Sequence, residues 1–139
     1  MQLQLSRRAD YAVRAVLALA DADRQMTTAE LARRMEIPLR FLPQIMPALV
    51  RGGILCRRLG RHGGYLLAGS ADSISLLDVI DAADGARPMR TCVLRGAACQ
   101  AERPCAVHNT IVSAEAAQRG QLAAADFAAL LGEKGRLRP

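Results

Sequence analysis

The sequence contains few aromatic residues and no tryptophan. Phenylalanine and tyrosine together make up 3% of its 139 residues. Proteins that bind single-stranded nucleic acids stack the bases on aromatic side chains, so this shortage argues against that class. A hydrophobic share of 51% nevertheless supports a buried core. The length suits one compact domain, or a small domain with an attached arm, and is too short for a two-domain enzyme.

Long apolar segments are also missing. No run approaches the roughly 18 apolar residues of a membrane-spanning helix. Residues 1–8 lack the apolar stretch and the cleavage site of a secretory signal peptide. We therefore expect a cytoplasmic protein without a membrane partner. Because thiols stay reduced in the cytoplasm, the four cysteines are expected to be ligands, reactive thiols or core residues rather than disulfides.

Two further absences concern catalysis and negative charge. The sequence shows no paired carboxylates and no nucleophile–base motif, so we expect no enzyme. Residues 1–70 contain 11 basic and 5 acidic residues, whereas residues 71–139 contain 8 of each. The whole net charge of +6 therefore lies in the first half. This asymmetry indicates a half that binds a polyanion and a neutral half, although an arginine-rich surface alone gives the same count.

Apolar periodicity predicts three helices at the start of the chain. Apolar residues recur at spacings of three and four over residues 7–21. Residues 27–30, Thr-Thr-Ala-Glu, have the form of a capping box and open a second, short helix. Residues 39–51 carry an apolar stripe of a third helix. Pro43 and Pro47 fall inside this stripe, and proline tends to kink a helix.

A β hairpin and further helices are predicted to follow. Two short strands, residues 54–59 and 65–68, flank a glycine-rich turn. Three helices followed by such a hairpin are the order of a winged helix-turn-helix, so the predicted fold is mainly α with a two-stranded β wing. Cys56 is expected to be a buried apolar residue of the first strand. Later helices are predicted at residues 73–83, with Ile74, Leu77 and Ile80 facing inward, at 105–118 and, more weakly, at 122–131.

The helix and the hairpin both offer contacts to double-stranded DNA. Arg40 suits a bidentate contact with guanine and Gln44 a contact with adenine, although polar side chains on an outer helix face are often merely solvated. Basic side chains flank the glycine-rich turn, where they can reach phosphates or a minor groove. The candidate DNA-binding residues are Thr28, Arg40, Gln44, Arg57, Arg58, Arg61 and His62.

Three cysteines lie close together in the neutral half. Cys92, Cys99 and Cys105 have the spacing C-x6-C-x5-C, and His108 follows one helical turn after the last. Soft ligands in a short irregular segment suit an iron–sulfur cluster or zinc. Zinc sites usually contain C-x2-C pairs, which are absent here, so the pattern favours a cluster. Three incidental reduced cysteines beside a surface histidine are the alternative.

These features together resemble a known family. The marks are residues 8–14 (RADYAVR) in the first helix, 63–67 (GGYLL) in the hairpin, 75–80 (SLLDVI) in the fourth helix, and the three cysteines. Over roughly residues 1–131 the chain is similar to the iron–sulfur winged-helix repressors of the IscR, NsrR and RirA type, the Rrf-two superfamily. Of these marks, only the cysteine triad is distinctive by itself.

The resemblance implies a homodimeric bacterial transcriptional regulator with an iron–sulfur cluster. It makes Cys92, Cys99 and Cys105 cluster ligands, and it pairs the subunits through a long helix after the cysteines. The implied organisation is a DNA-binding region at 1–83, a cluster-binding loop at 84–105, a dimerisation helix and a short terminal helix at 106–131, and a flexible tail at 132–139.

The resemblance leaves the fourth cluster ligand open between two residues. His108 matches an IscR-like histidine, which goes with a 2Fe-2S cluster. Asp10, with Arg14 one turn later, matches an NsrR-like arrangement in which Asp10 of the partner subunit binds a 4Fe-4S cluster. An ion pair between Asp10 and Arg14 is the plain alternative for the carboxylate. We favour His108 slightly, on the softness of the imidazole, and with it the 2Fe-2S cluster.

The sequence departs from the family pattern in the regions that contact DNA and pair subunits. Leu59 stands where many members carry a wing arginine, Pro43 replaces a polar residue and Arg40 replaces a small one. The recognised DNA sequence is therefore expected to differ. The segment after Cys105 is about a turn shorter, so the dimerisation helix is expected to be short or broken at Gly120.

The expected mechanism is a two-state sensor in which loss, oxidation or nitrosylation of the cluster changes the spacing of the two recognition helices. The signal is redox state, nitric oxide or iron supply. One alternative is a cluster-free regulator with a cysteine thiol switch or a zinc site. Another is a small iron–sulfur electron carrier, against which the basic half and the missing fourth local cysteine both argue.

Overall fold

A computed structural model describes residues 3–85, 91–100 and 102–133. Part of the predicted cysteine loop, 86–90, and most of the predicted tail, 134–139, lie outside these residues. Two 3-10 turns, Leu39–Phe41 and Ala71–Ser73, accompany the regular elements. The helices are α1 (Arg7–Ala22), α2 (Thr28–Arg34), α3 (Leu42–Arg51), α4 (Leu76–Asp84), α5 (His108–Ala124) and α6 (Phe127–Gly132), and the strands are β1 (Leu55–Arg58) and β2 (Gly64–Leu67).

Side-chain caps fix the starts of α1 and α2. The Ser6 hydroxyl accepts a 3.0 Å hydrogen bond from the Ala9 N–H. The predicted capping box is confirmed, because the Glu30 N–H donates to Thr27 Oγ1 at 3.2 Å and the Thr27 N–H donates to Glu30 Oε2 at 2.7 Å. The Thr27 N–H also lowers the pKa of the Glu30 carboxyl. Both helices therefore begin where the sequence predicts them.

The third predicted helix is divided into a 3-10 turn and α3. Pro43 lies in the first turn of α3, where a missing N–H leaves no hydrogen bond unmade. Pro47 lies inside the helix, which nevertheless continues to Arg51 because its apolar side is buried in the core. Gly52 caps the C-terminus and Gly53 follows with a φ of 74°, so the predicted stop is confirmed.

The core surrounds α1, which packs against α3, α4, α6 and β2. The rings of Tyr11 and Phe41 lie 5.0 Å apart, and Phe127 of α6 is completely buried. The Leu76 N–H donates to the Ala125 carbonyl at 2.8 Å and the Phe127 N–H to the Ile74 carbonyl at 3.0 Å. The segment between α5 and α6 is thus tied back onto the start of α4.

One prediction about an individual side chain is wrong, and another is confirmed only in part. Cys56 is exposed rather than buried, because successive residues of a strand alternate between faces and Leu55 takes the buried position. In the fourth helical segment Ile74 is buried and Ile80 packs partly buried against the core, as predicted, whereas Leu77 is only partly covered and lies outside the core. The helix α4 itself begins at Leu76, after the cap Ser75, rather than at 73, and its fully buried residues are Val79 and Ala83.

The helix after the cysteines also differs from its prediction. It begins at His108 rather than Cys105, and it runs for 17 residues without a break at Gly120. The glycine has open space around it and no conformation that would interrupt the helix. No residue of α5 is buried in this single chain. Among the described residues, no helix is long and apolar enough to span a membrane.

Candidate nucleic-acid interface and cysteine site

The wing and the start of α2 form one open groove. Thr27 and Thr28 lie on one side of it, and the hairpin lies on the other. Arg57, Arg58 and Arg61 line the groove and are exposed. No acidic residue is among the described residues that line it. The structure thus brings predicted residues of α2 and the wing together in a cationic surface with the shape of a shallow trough.

Backbone contacts hold the wing against α2. Met26 and Tyr65 exchange two hydrogen bonds of 2.9 and 2.8 Å, and the Gln25 side chain donates to the His62 carbonyl. A Cβ at Gly64 would lie 2.6 Å from the Met26 carbonyl oxygen, so only glycine permits this approach. The Arg57 guanidinium lies over the Tyr65 ring at 6.0 Å from its centroid. The groove is therefore built on a fixed backbone.

Arg40 and Gln44 lie near the exposed start of the third helical segment. Arg40 belongs to the 3-10 turn before α3, and its guanidinium lies 5.1 Å from the centroid of the Phe41 ring. Gln44 is exposed within the first turn of α3. Both side chains are available to a ligand, and the aromatic contact holds Arg40 at the N-terminal end of the helix.

The three clustered cysteines and His108 line one small cavity beside the start of α5. Its other walls include Val107, Ile111 and Val112. Cys99 Sγ lies 3.3 Å from His108 Nδ1. The sequence predicted these four donors as a group, and all four line the same cavity in the fold. The cavity measures about 20 Å³, room for about one water molecule.

A tight turn positions Cys92. The Cys92 N–H donates to the Ala97 carbonyl at 2.7 Å, and the Gly96 N–H returns a bond to the Cys92 carbonyl at 2.9 Å. Gly96 has a φ of 63°, which a glycine adopts without strain. The backbone N–H of Leu94 has the largest effect in lowering the pKa of the Cys92 thiol, followed by the N–H of Arg95. The side chain of Cys105 lowers it further. This turn favours a thiolate.

The arrangement of these donors bears on the kind of metal they suit. Among the described residues, no three His, Cys, Asp or Glu side chains surround a point where one metal ion could bind. A single zinc ion needs such convergence. An iron–sulfur cluster distributes its ligands over several iron atoms, so its ligands need not converge on one point.

Asp10, the other candidate ligand, is engaged by Arg14. The Arg14 guanidinium donates to the two carboxylate oxygens at 3.0 and 2.9 Å, and it also reaches the Met35 carbonyl at 3.4 Å. The simple i,i+4 pair is therefore present in this chain. Asp10 is not among the residues that line the chain's own cysteine cavity. Its expected role concerns Asp10 of the partner subunit and stays a prediction.

Sequence reasoning missed two contacts of α4, one with α5 and one with the C-terminus of α3. Arg119 of α5 donates to both carboxylate oxygens of Asp81 of α4, at 2.6 and 3.1 Å. Gly52, at the end of α3, lies so close to Ala82 that a Cβ on it would be 2.8 Å from the Ala82 Cβ. The ionic partners are 38 residues apart, so no local spacing could reveal them.

Comparison with known protein sequences places this geometry in context. The Rrf2 profile, described as an iron-dependent transcriptional regulator, matches residues 5–133. IscR of Klebsiella pneumoniae is 32% identical over 108 residues, which cover 76% of this chain and 66% of that protein. A protein of Aquifex aeolicus named as an HTH-type transcriptional regulator is 33% identical over 102 residues, 71% of each chain. A Rhodobacter capsulatus relative matches over 65% of its own length.

Solved structures share the fold at low sequence identity. CymR of B. subtilis, the global cysteine regulator, superposes with a TM-score of 0.77 at 18% identity, covering 96% of this chain and all of that one. T. potens IscR has a TM-score of 0.74 at 20% identity, covering 97% and 90%. The winged helix-turn-helix prediction is thereby confirmed. With a family profile that spans the cationic groove and the cysteine cavity alike, the chain belongs to the Rrf2 family of transcriptional regulators.

Proposed function

We propose that this regulator binds promoter DNA as a homodimer and that an iron–sulfur cluster in the cysteine cavity controls the binding. The observation that carries the proposal is the grouping of three thiols and one imidazole at the start of α5. The proposal assigns DNA binding to residues 1–83, cluster binding to 84–105 and subunit pairing to 106–131. Protein of this kind acts by binding rather than by catalysis.

The DNA half contacts its ligand through two surfaces. The exposed start of α3, with Arg40 and Gln44, enters the major groove, where arginine reads guanine and glutamine reads adenine. Arg57, Arg58 and Arg61 of the wing, with Thr28, contact the phosphate backbone or the adjacent minor groove. Displacement of counterions by these arginines makes the affinity fall steeply with salt.

The cysteine half holds the cluster through Cys92, Cys99 and Cys105, with His108 as the fourth ligand. When bound, such a cluster supplies a group that responds to redox state, nitric oxide or iron supply. The turn around Cys92 keeps its thiol ready for deprotonation, as ligation requires. His108 lies at the N-terminus of α5, so that ligation here fixes the end of a long helix. A 2Fe-2S cluster suits this ligand set; Asp10 of the partner subunit is the ligand that a 4Fe-4S cluster would use.

The proposed dimer uses α5. A helix of 17 residues with none buried is unusual in a stable fold, since helices gain most of their stability by packing. Ile111 and Val112 near its start and Leu122 near its end are only partly covered in one chain. Pairing of two such helices covers these side chains and sets two recognition helices about one turn of DNA apart.

Anaerobic purification tests the cluster directly. Iron and acid-labile sulfide are counted, and the visible spectrum is recorded, for the wild type and for Cys99→Ser and His108→Ala. We expect a coloured protein, loss of colour in Cys99→Ser, and a changed spectrum in His108→Ala. Cys56→Ser is the matched control, because its exposed thiol lies outside the cavity. A colourless wild type without iron contradicts the cluster.

A mobility-shift titration at matched salt tests the control of DNA binding. Cluster-loaded and cluster-free protein are compared on promoter DNA upstream of the gene. We expect affinities that differ by about 5–150-fold, the range of typical coupling between sites. Equal affinities in the two states contradict sensing, and the absence of any shift contradicts DNA binding.

A cluster-free thiol switch is the second candidate. It is favoured by the lowered pKa of Cys92 beside Cys105, and by the shared fold with a cysteine regulator that has also been solved in an oxidized form from Staphylococcus aureus. A colourless protein whose DNA affinity changes on mild oxidation, and returns with a reductant, supports this candidate. Stoichiometric zinc uptake by the same protein supports a zinc site instead.

A further inference from the structure

We propose that the ion pair between Asp81 and Arg119 is the joint through which the cysteine cavity acts on the recognition helix α3. The proposal rests on the regulatory function proposed above and names the residues that transmit it. Asp81 and Arg119 are positioning residues, since neither lies in the cysteine cavity nor in the cationic groove.

The ion pair joins α5 to the DNA-binding half. Within the described part of the chain, the extensive packing contacts of α5 are with α4. Arg119 grips Asp81 with two parallel hydrogen bonds of 2.6 and 3.1 Å, and the carboxylate raises the pKa of the guanidinium. A bidentate pair of this kind fixes orientation as well as distance. A rotation or shift of α5 therefore moves Asp81.

The next contact passes the movement from α4 to α3. Ala82 follows Asp81, and its Cβ meets the backbone of Gly52 at the C-terminus of α3 without room for another carbon atom. Because the two residues already touch, a shift of Ala82 toward α3 has to displace the backbone of Gly52. The C-terminal end of the recognition helix α3 thus contacts Ala82, the neighbour of the Asp81 that Arg119 of α5 binds.

The helix α5 itself connects the cysteine cavity to the ion pair. It runs unbroken from His108, in the wall of the cysteine cavity, to Ala124. A continuous helix carries a displacement of its first turn to its later turns. Arg119 lies three turns after His108, on the part of the helix that faces α4.

Stability alone does not account for the pair. The side chains of Arg119 and Asp81 are 34% and 43% exposed, and exposed ion pairs contribute about 0–1 kcal/mol to folding. A directional contact between two partly exposed side chains serves position more than stability. The pair also borders an open cavity between α3, α4 and α5, lined by Arg51, Gly52 and Gly85 among others, which leaves room for the elements to move.

The test compares DNA affinities in two states of the cysteine loop. The full chain carries either the native cysteines, with the iron–sulfur cluster loaded anaerobically, or serine at Cys92, Cys99 and Cys105 together. Each form is combined with Asp81→Asn, with Arg119→Gln, and with the charge swap Asp81→Arg plus Arg119→Glu. Asp21→Asn, which removes a comparable ion pair with Arg34 between α1 and α2, is the control.

We expect a ratio of the two affinities of about 5–150-fold in the otherwise native chain and in the control. The ratio should fall close to one in either single variant and recover in the charge swap. A loss of folding alone would lower both affinities and leave their ratio unchanged, which thermal unfolding of each variant checks.

Three results overturn the inference. Single variants that keep the native ratio show that the pair transmits nothing. A swap that leaves the ratio near one shows that the side chains act separately rather than as a pair. A native chain that binds DNA equally in both states removes the sensing function itself, and the inference with it.

Discussion

At the scale of single residues, the most unusual position in the wing is Leu59. Its side chain is 80% exposed between Arg58 and the turn that contains Arg61. An apolar side chain here makes no charged contact with a phosphate, although its neighbours do under the proposed function. Under the proposed function, the wing therefore contacts DNA with one cation fewer than an arginine at position 59 would give it.

Replacing Leu59 with arginine is expected to tighten DNA binding. One added phosphate contact steepens the slope of log affinity against log salt by about 0.9. The measurement is a fluorescence anisotropy titration at several salt concentrations. Ala128→Arg, on an exposed position of α6, adds the same charge away from the wing and should leave the slope almost unchanged. Equal slopes for Leu59→Arg and wild type would show that the wing tip does not approach the backbone.

Removing Arg58 is expected to have the opposite effect. Arg58→Ala should lower the slope by about 0.9 and weaken binding to specific and unrelated duplexes alike, because phosphate contacts carry no sequence information. Gln44→Ala serves as the contrast, since a base contact should cost affinity on the specific site mainly. A selective loss for Arg58→Ala would assign this arginine to base recognition instead.

Residue-level predictions succeeded where local chemistry decides and failed where the phase of a strand decides. The capping box at Thr27 and Glu30 and the stop at Gly52 follow from hydrogen bonds within a few residues. The side of the strand that Cys56 occupies depends on which face meets the core. A one-residue difference in phase reverses burial, and a four-residue strand gives too short a pattern to fix it.

At the scale of elements, the joint between α3 and α4 depends on the absence of one side chain. Gly52 has ordinary helical dihedrals, with φ of −75°, so alanine would suit its backbone. The close approach of Ala82 is what excludes a larger residue. The glycine is therefore a packing requirement rather than a conformational one.

Gly52→Ala is expected to displace α3 from α4 and weaken DNA binding. Overpacking of this kind costs about 1–3 kcal/mol of unfolding free energy. Adding Ala82→Gly should restore the DNA affinity while unfolding stays easier, because glycine inside a helix costs about 1 kcal/mol. Denaturant unfolding and DNA titration measure the two effects. Gly120→Ala, in open space within α5, should stabilise the fold instead; a similar loss at both glycines would contradict the packing explanation.

The starts and ends of the helices were harder to predict from sequence patterns than the helices themselves. The order of helices and strands was predictable from periodicity and glycine-rich turns. The helix α4 starts later than predicted, because Ser75 and Asp78 form a capping box and Ile74 before them is extended. The unbroken course of α5 through Gly120 was not predictable, because a single glycine lowers helix stability without dictating a break.

At the scale of the whole molecule, α6 belongs to the core of the winged half although it comes last in the described chain. Phe127 is completely buried, and α6 packs against α1. The weak apolar pattern of this segment gave no indication of that destination. The position of α6 is set by packing against residues far away in the sequence, which a single sequence cannot show. The cysteines, by contrast, lie close together in the sequence.

Phe127→Ala is therefore expected to destabilise the DNA-binding half. Loss of a buried phenylalanine costs about 3–5 kcal/mol, a large part of a small domain's stability. Thermal unfolding followed by circular dichroism measures the loss. Leu131→Ala, on a partly covered position of the same helix, should cost much less. A melting temperature for Phe127→Ala equal to that of the wild type would show that α6 is not part of the core.

The anchoring of α6 also determines how α5 can move. Hydrogen bonds of the Leu76 N–H to Ala125 and of the Phe127 N–H to Ile74 pin the C-terminal end of α5, while its other end carries His108 and adjoins the cysteine cavity. The helix, about 25 Å long at 1.5 Å per residue, can consequently tilt about its held C-terminal end. A tilt of about 5° moves the His108 end by roughly 2 Å but the Arg119 region by well under 1 Å. A displacement at the cysteine cavity would therefore reach α4 with a smaller amplitude. A small displacement suits the proposed role of the ion pair, which is to shift the recognition helix slightly while its packing is kept.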